Sequence, residues 1–253
     1  MSEENKERIA KYLARAGVAS RRGVEAMIAE GRIQVNGQTL ESPAFLVNGS
    51  ENIHVDGKII GGQEETRLFL YFKPEGLVTT HKDEKDRTTV FDEIAQLYPE
   101  LPRLISVGRL DLNTEGLLLL TNNGELARFL ELPSTGWVRS YRVRAFGEWN
   151  DDKAEKMKKG LVINGIKYGE IIVTQEQPSK GRNHWLTVSL KEGKNREIRN
   201  AFDAVGLQVN KLVRTSYGPF RIDGIKKGTV KEATKKQITS SLPQAFFKGG
   251  KKK

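Results

Sequence analysis

Gly108-Arg109-Leu110-Asp111-Leu112-Asn113-Thr114-Glu115-Gly116, then four leucines from Leu117 to Leu120, then Thr121-Asn122-Asn123-Gly124: this run decides how the larger part of the chain folds. Four successive leucines fit a strand buried on both faces. The polar loop before them then lies at the mouth of the core, where a carboxylate such as Asp111 can be partly desolvated and held by a neighbouring cation. Taken alone, an aspartate after Arg-Leu is more often a turn former or a surface ion-pair member than a catalyst.

Working outward, β-like runs cover residues 67–72, 139–146, 171–175 and 185–190, and helical patterns cover 124–130, 151–159 and 196–205. The elements do not alternate regularly as strand and helix. The expected class is therefore α+β, a mostly antiparallel sheet over residues 67–236. Gly108, Gly116 and Gly124 form no dinucleotide or phosphate-loop fingerprint, so no nucleotide cofactor is indicated.

Toward the N-terminus, Ile9, Tyr12, Leu13 and Ala16 form the stripe of a short amphipathic helix that Gly17 can end. Ser20 is a good N-cap for a second helix with Val24, Met27 and Ile28 on its apolar face, stopping at Gly31. The strand Ile33-Gln34-Val35 and the turn Asn36-Gly37 follow, giving a small α/β domain over residues 1–61. Gly61-Gly62-Gln63-Glu64-Glu65 reads as a flexible linker. Arg8, Lys11, Arg15, Arg21 and Arg22 put positive charge on the paired helices, where it can meet a phosphate backbone. Charge alone would make this an ordinary solvated face.

The 253 residues carry 42 Lys+Arg against 32 Asp+Glu, a net charge of +10 that points to a polyanionic partner. Residues 226–253 contribute +8 of this, through nine lysines opposed by Glu232 alone, so residues 237–253 are expected to form a basic disordered tail. Cysteine is absent and His54, His81 and His184 are far apart in sequence, so no metal site is expected. No run is long and apolar enough for a signal peptide or a membrane span, which makes the cytoplasm the expected location and excludes a membrane partner.

With these residues in hand, RIAKYLARAGVASRRGVEAMIAEGRIQVNGQTL resembles the RNA-binding domain named after ribosomal protein S-four, a resemblance covering residues 8–60. GRLDLNTEGLLLLTNNG resembles the most specific motif of the pseudouridine synthases, in the branch of ribosomal small-subunit synthase A and large-subunit synthase B. KPEGLVTT at 73–80, the segment around Tyr141, EGKNREIRN at 192–200 and LVRTSYGPF at 212–220 are similar to further blocks of that family, in the expected order. Asn123 stands where an aspartate is common, and Asn200 and Ala201 depart from the usual residues after the second motif.

The resemblance implies isomerisation of a uridine in ribosomal RNA, with no cofactor and with the protein acting as a monomer. Asp111 matches the single catalytic carboxylate, which can attack or deprotonate the ribose. Arg199 matches the arginine that pairs with it, and Tyr141 the tyrosine that lies against the target base. Arg109 matches a residue that fills the space left by a flipped uridine. Lys194 and Arg196 are expected to contact phosphates. Asn-Arg-Glu before Ile198-Arg199 resembles the large-subunit enzyme, where the small-subunit one tends to carry Tyr-His-Gln. The alternatives are a small-subunit target, or a non-catalytic RNA-binding or ribosome-assembly protein.

Overall fold

Ile9, Leu13, Val24 and Ile28, all at most 2% exposed, are the reason the first two helices pack together. The computed structural model describes residues 6–178 and 181–247. It begins with β1 (Glu7–Arg8), α1 (Ile9–Arg15), α2 (Arg21–Ala29), β2 (Ile33–Val35), β3 (Gln38–Thr39), β4 (Leu46–Val47), β5 (Ile53–Val55) and β6 (Lys58–Ile59). The Ser20 hydroxyl caps α2 by accepting from the Gly23 amide at 3.0 Å. Asn36 and Gly37 both take positive φ, 52° and 84°, as a two-residue hairpin turn between β2 and β3 requires. This small α/β unit has the elements that its sequence led us to expect.

The larger unit runs β7 (Leu68–Lys73), α3 (Val90–Leu97), β8 (Ile105–Ser106), β9 (Glu115–Thr121), α4 (Gly124–Glu131), β10 (Arg139–Phe146), α5 (Asp151–Lys158), β11 (Leu161–Ile163) and β12 (Ile166–Tyr168). It continues with β13 (Ile171–Gln175), β14 (Asn183–Leu190), α6 (Glu197–Ala204), β15 (Gln208–Tyr217), β16 (Phe220–Arg221), β17 (Val230–Glu232) and α7 (Lys235–Ser241). Its main sheet follows the order β13-β14-β10-β15-β9-β7-β17, and the β9–β15 contact is its one parallel pair. The domain is thus α+β on a mostly antiparallel sheet.

β9 is the centre of that sheet, and every one of its residues is buried. Leu117 and Leu119 enter the core under α4, while Leu118 and Leu120 enter the core under α3. Each fully buried leucine contributes ~1.5–3 kcal/mol, which makes β9 the strand around which the two layers organise. A third core, with Val143, Leu186, Val188 and Phe202, covers one face of β10 and β14 beneath α5 and α6.

Two expectations about connections change. The linker is not free: Asn122 Nδ2 donates to the Glu64 carboxylate at 3.2 Å and the Glu65 carbonyl at 2.9 Å, and Asn123 Nδ2 donates to Thr66 Oγ1 at 2.8 Å. The Asn123 Oδ1 meanwhile caps α4 through the amides of Glu125 and Leu126. An aspartate could cap the helix but could not donate to Thr66, which gives the asparagine a local reason.

The tail expected to be disordered from Gln237 is ordered as far as Phe247. Thr234 and Gln237 form a capping box at the start of α7, Leu242 is 5% exposed, and Ile238, Phe246 and Phe247 pack on the core under α4. The apolar residues between the lysines have a surface to cover, and that burial outweighs the charge. Lys248, Lys251, Lys252 and Lys253 lie outside the described residues. Truncation from Gln237 should therefore lower the thermal midpoint by uncovering Leu242 and its neighbours, whereas truncation after Phe247 should leave it unchanged. Thermal unfolding of the two truncated proteins checks this.

Candidate active site

The loop between β8 and β9 is fixed by its backbone. Leu110, 6% exposed, is held by Thr79, whose hydroxyl donates to the Leu110 carbonyl at 2.9 Å and receives its amide at 3.3 Å. The Asp111 carbonyl accepts from the Thr114 amide at 3.0 Å, and the Leu112 carbonyl from Gly76 at 2.9 Å. Beneath the loop lies Lys73, fully buried, with its ammonium donating to the carbonyls of Pro74 at 2.9 Å, Thr114 at 3.1 Å and Asp111 at 3.2 Å. A buried ammonium without partners would be costly, and three carbonyls meet its three donors. Gly116 follows at φ 111°, where an added Cβ would lie 2.2 Å from the Arg214 carbonyl oxygen, so only glycine lets β15 approach the loop.

The loop carries the Asp111 side chain, 37% exposed, into a cavity of about 670 Å³. Tyr141, Leu190, Leu212, Arg139 and Arg214 form its walls, and Arg109, Lys194, Arg196 and Arg199 also line it. One acid thus stands among cations. Tyr141, 8% exposed, points inward from β10 with the same parity as Arg139 and Val143.

The expected pairing of Asp111 with Arg199 takes a different form. The cation in contact range of the carboxylate is Arg196, with Nη1 4.0 Å from Asp111 Oδ2. Arg196 takes a left-handed conformation, φ 49°, immediately before α6, and this strained turn aims its side chain at the loop. Arg199, one turn further on, donates from Nη2 to the Asn113 carbonyl at 2.8 Å and from Nη1 to the Val209 carbonyl at 3.1 Å. It ties the carboxylate's loop to β15. Burial and the charge of Arg196 lower its affinity for its proton, and Asp111 raises it, so the two are electrostatic neighbours without direct contact.

Lys194 is engaged by the Glu192 carboxylate at 2.5 Å and the Lys167 carbonyl at 2.7 Å, and its amide donates to Glu197 at 2.9 Å. Burial pushes the Glu197 carboxyl above its ordinary range. Arg109 is exposed on the rim. In the N-terminal unit Arg8, Arg21 and Arg22 are exposed and Arg15 is half-buried, whereas Lys11 is held by Glu7 at 3.2 Å and by Glu125 of α4 at 2.5 Å. Lys11 therefore bridges to α4 instead of standing free for phosphate.

Three cations of the site were not singled out from sequence: Lys73, Arg139 and Arg214. Arg139 is 7% exposed and donates to the Glu192 carbonyl at 3.1 Å and the Tyr217 hydroxyl at 2.7 Å; Arg214 Nε donates to the Leu117 carbonyl at 2.7 Å. Strand parity could have found Arg139, since it shares the inward phase of Tyr141. Arg214 Nη2, Arg199 Nε and Thr114 Oγ1 are buried without hydrogen-bond partners, so a polar ligand that reorders this wall would be rewarded.

Burial pulls the Lys73 ammonium down to about 8, against the opposing charge of Asp111. Activity should fall as pH rises through about 8, because losing that proton releases loop carbonyls. Between about 8 and 10.5 the unfolded chain keeps a proton that the folded one has released, so this group makes stability rise with pH while activity falls. Rates and unfolding midpoints measured across that window should diverge in wild type, and the divergence should vanish in Lys73→Met.

The family model for RNA pseudouridylate synthases matches residues 67–204, and the model for the S-four domain matches residues 7–53. The chain is 48% identical over 230 residues to the uncharacterized RNA pseudouridine synthase of Rickettsia felis, covering 91% of this chain and 98% of that protein. It is 40% identical over 228 residues to ribosomal large subunit pseudouridine synthase B of Yersinia pestis, covering 88% of this chain and 71% of that one. A crystal structure of a pseudouridylate synthase shares the fold with a TM-score of 0.66 at 21% identity, covering 93% of this chain and 99% of that one. A cavity with one carboxylate among arginines and both matching family models lead to one conclusion: the chain belongs to the RNA pseudouridylate synthase family, isomerases that act on RNA.

Proposed function

We propose that the protein isomerises a specific uridine of large-subunit ribosomal RNA, with Asp111 as its single catalytic carboxylate. The observation that carries this is the placement of Asp111: its backbone is clamped by Lys73, Thr79 and Arg199 while its side chain stands in the cavity. The reaction breaks the bond between the ribose and uracil N1, turns the ring and joins the ribose to C5; the C5 proton leaves and N1 gains one. Nothing is oxidised or transferred. A carboxylate can serve either by attacking the ribose or by removing a ribose proton, and both require it ionised at a fixed distance. The nearby Arg196 favours the ionised form.

To reach this cavity the uridine must leave its stack. Arg109, on the exposed rim, is placed to fill the gap, and Tyr141 gives the uracil a wall to lie against. Arg196 and Lys194 stand where the phosphates beside the flipped nucleotide would pass. The large-subunit target is supported by Asn195-Arg196-Glu197 before Ile198-Arg199 and by the relative from Yersinia pestis. Incubating the purified protein with unmodified large- and small-subunit transcripts should give pseudouridine in the large-subunit RNA. Its appearance only in the small-subunit RNA would reverse the assignment.

A further inference from the structure

Tyr141, Val143 and Ala145 point into the core under α5 and α6, so the alternate residues of β10 emerge on the opposite face of the sheet. They are Arg142, Arg144 and Phe146, all exposed. In β14 Trp185 lies directly across from Arg144, and in β15 Lys211 lies across from it on the other side. An antiparallel sheet commonly shows one face to water, and such a face is ordinarily a mixture of small polar and oppositely charged residues. This one is different in two respects.

Its aromatics are paired with guanidinium groups and not covered by the fold. Arg142 lies over the Trp185 ring at 4.1 Å, and Arg182 lies over the Phe146 ring, itself 37% exposed, at 4.8 Å. Its charges are also unbalanced. Arg144 and Lys211 are a like-charged pair directly across two strands, an arrangement that destabilises a sheet unless an anion covers it. Arg142 is matched by Glu176 at 2.9 Å, but Lys211 shares the single carboxylate of Glu115 with Lys227, at 3.2 and 2.8 Å, and Arg144 has no ion pair among the described residues. The face therefore keeps an excess of positive charge beside exposed ring systems.

We infer that this outer face of β10, β14 and β15 binds a single-stranded stretch of the RNA substrate, apart from the uridine in the cavity. Phosphates would run over Arg144 and Lys211, and bases would stack on the Trp185–Arg142 and Phe146–Arg182 pairs, because every base offers a π-face and arginine planes stack as aromatics do. Charge complementarity selects the occupant: a second copy of this chain would set the same cations against each other. The geometry also connects the two places. Lys211 faces outward and Leu212, its neighbour in β15, forms the cavity wall, while Glu115 follows the Asp111 loop and ends on Lys211. This inference rests on RNA being the substrate but not on which uridine is modified.

The test uses the full chain, with a single-stranded oligouridylate and anionic phospholipid vesicles as probes and the large-subunit transcript as substrate. Oligouridylate should quench tryptophan fluorescence in wild type, and the quench should be lost in Trp185→Phe. The double variant Arg144→Ala/Arg182→Ala should bind oligouridylate about tenfold more weakly, with a salt slope shallower by about 2, and should keep the wild-type turnover at saturating transcript. Both arginines are exposed, and unchanged far-ultraviolet circular dichroism is the check on folding. Unchanged affinity and slope in the double variant would overturn the proposal. So would quenching by vesicles and not by oligouridylate, or a loss of turnover matching the loss of affinity. If wild type binds as expected but makes no pseudouridine, the isomerase reading fails and the binding surface stands.

Discussion

Replacing Asp111 by asparagine should abolish pseudouridine formation and leave RNA affinity within about threefold, since the change removes charge and keeps shape. The fold around it gives this prediction its force. The loop is held through backbone carbonyls and amides, by Lys73, Thr79, Gly76 and Arg199, and none of those bonds uses the Asp111 carboxylate. Its one close cation, Arg196 at 4.0 Å, is 53% exposed, so an amide there strands no buried charge. Stability should then be nearly unchanged, and loss of turnover would report chemistry alone. Pseudouridine mapping of a transcript treated with the variant decides it: appreciable product would remove Asp111 from the mechanism.

Arg199→Ala should lower turnover by about a hundredfold, for a different reason from Asp111→Asn: the carboxylate remains, but its loop loses the tie to Val209, and displacement of a reacting group by ~1 Å can cost that much. Arg196→Ala removes the nearer cation but leaves the loop in place. It should act more on apparent RNA affinity than on the single-turnover rate. Arg199→Lys should recover little, because one ammonium cannot reproduce two directed donors to carbonyls on separate elements. Single-turnover kinetics of the three variants separate positioning from phosphate contact. A severe Arg196→Ala beside a near-normal Arg199→Ala would exchange the two roles.

Several elements were legible because burial alone specified them. The leucines of β9 and the inward Tyr141, Val143 and Ala145 of β10 sit where their periodicity put them, and Ser20 caps α2 as its position suggested. Two elements were passed over. α3 begins with a capping box formed by Thr89 and Asp92 where glutamate or glutamine is the usual signal, and Val90 and Ile94 alone mark its buried face. β15 has Arg214 and Ser216 buried alongside Leu212, so the apolar alternation that marks a strand is broken where the chain builds the cavity wall. The tail was misjudged because lysine composition hid a few apolar residues with a core to cover.

The sequence by itself determined the buried central strand, the loop that delivers Asp111 to its end and the kind of chemistry a lone carboxylate there performs. Local pattern is enough for these, since a leucine run and the polar turn before it are adjacent in the chain. Tertiary structure alone decided which cation meets that carboxylate. Arg199 reaches the Asn113 carbonyl across 86 residues because β15 joins β9 as its parallel neighbour and brings α6 against the loop. Arg196 reaches Asp111 because a left-handed turn redirects its side chain. Neither sheet order nor a single positive φ leaves a periodic trace in sequence, so two arginines three residues apart could be told apart only once the strands were in place.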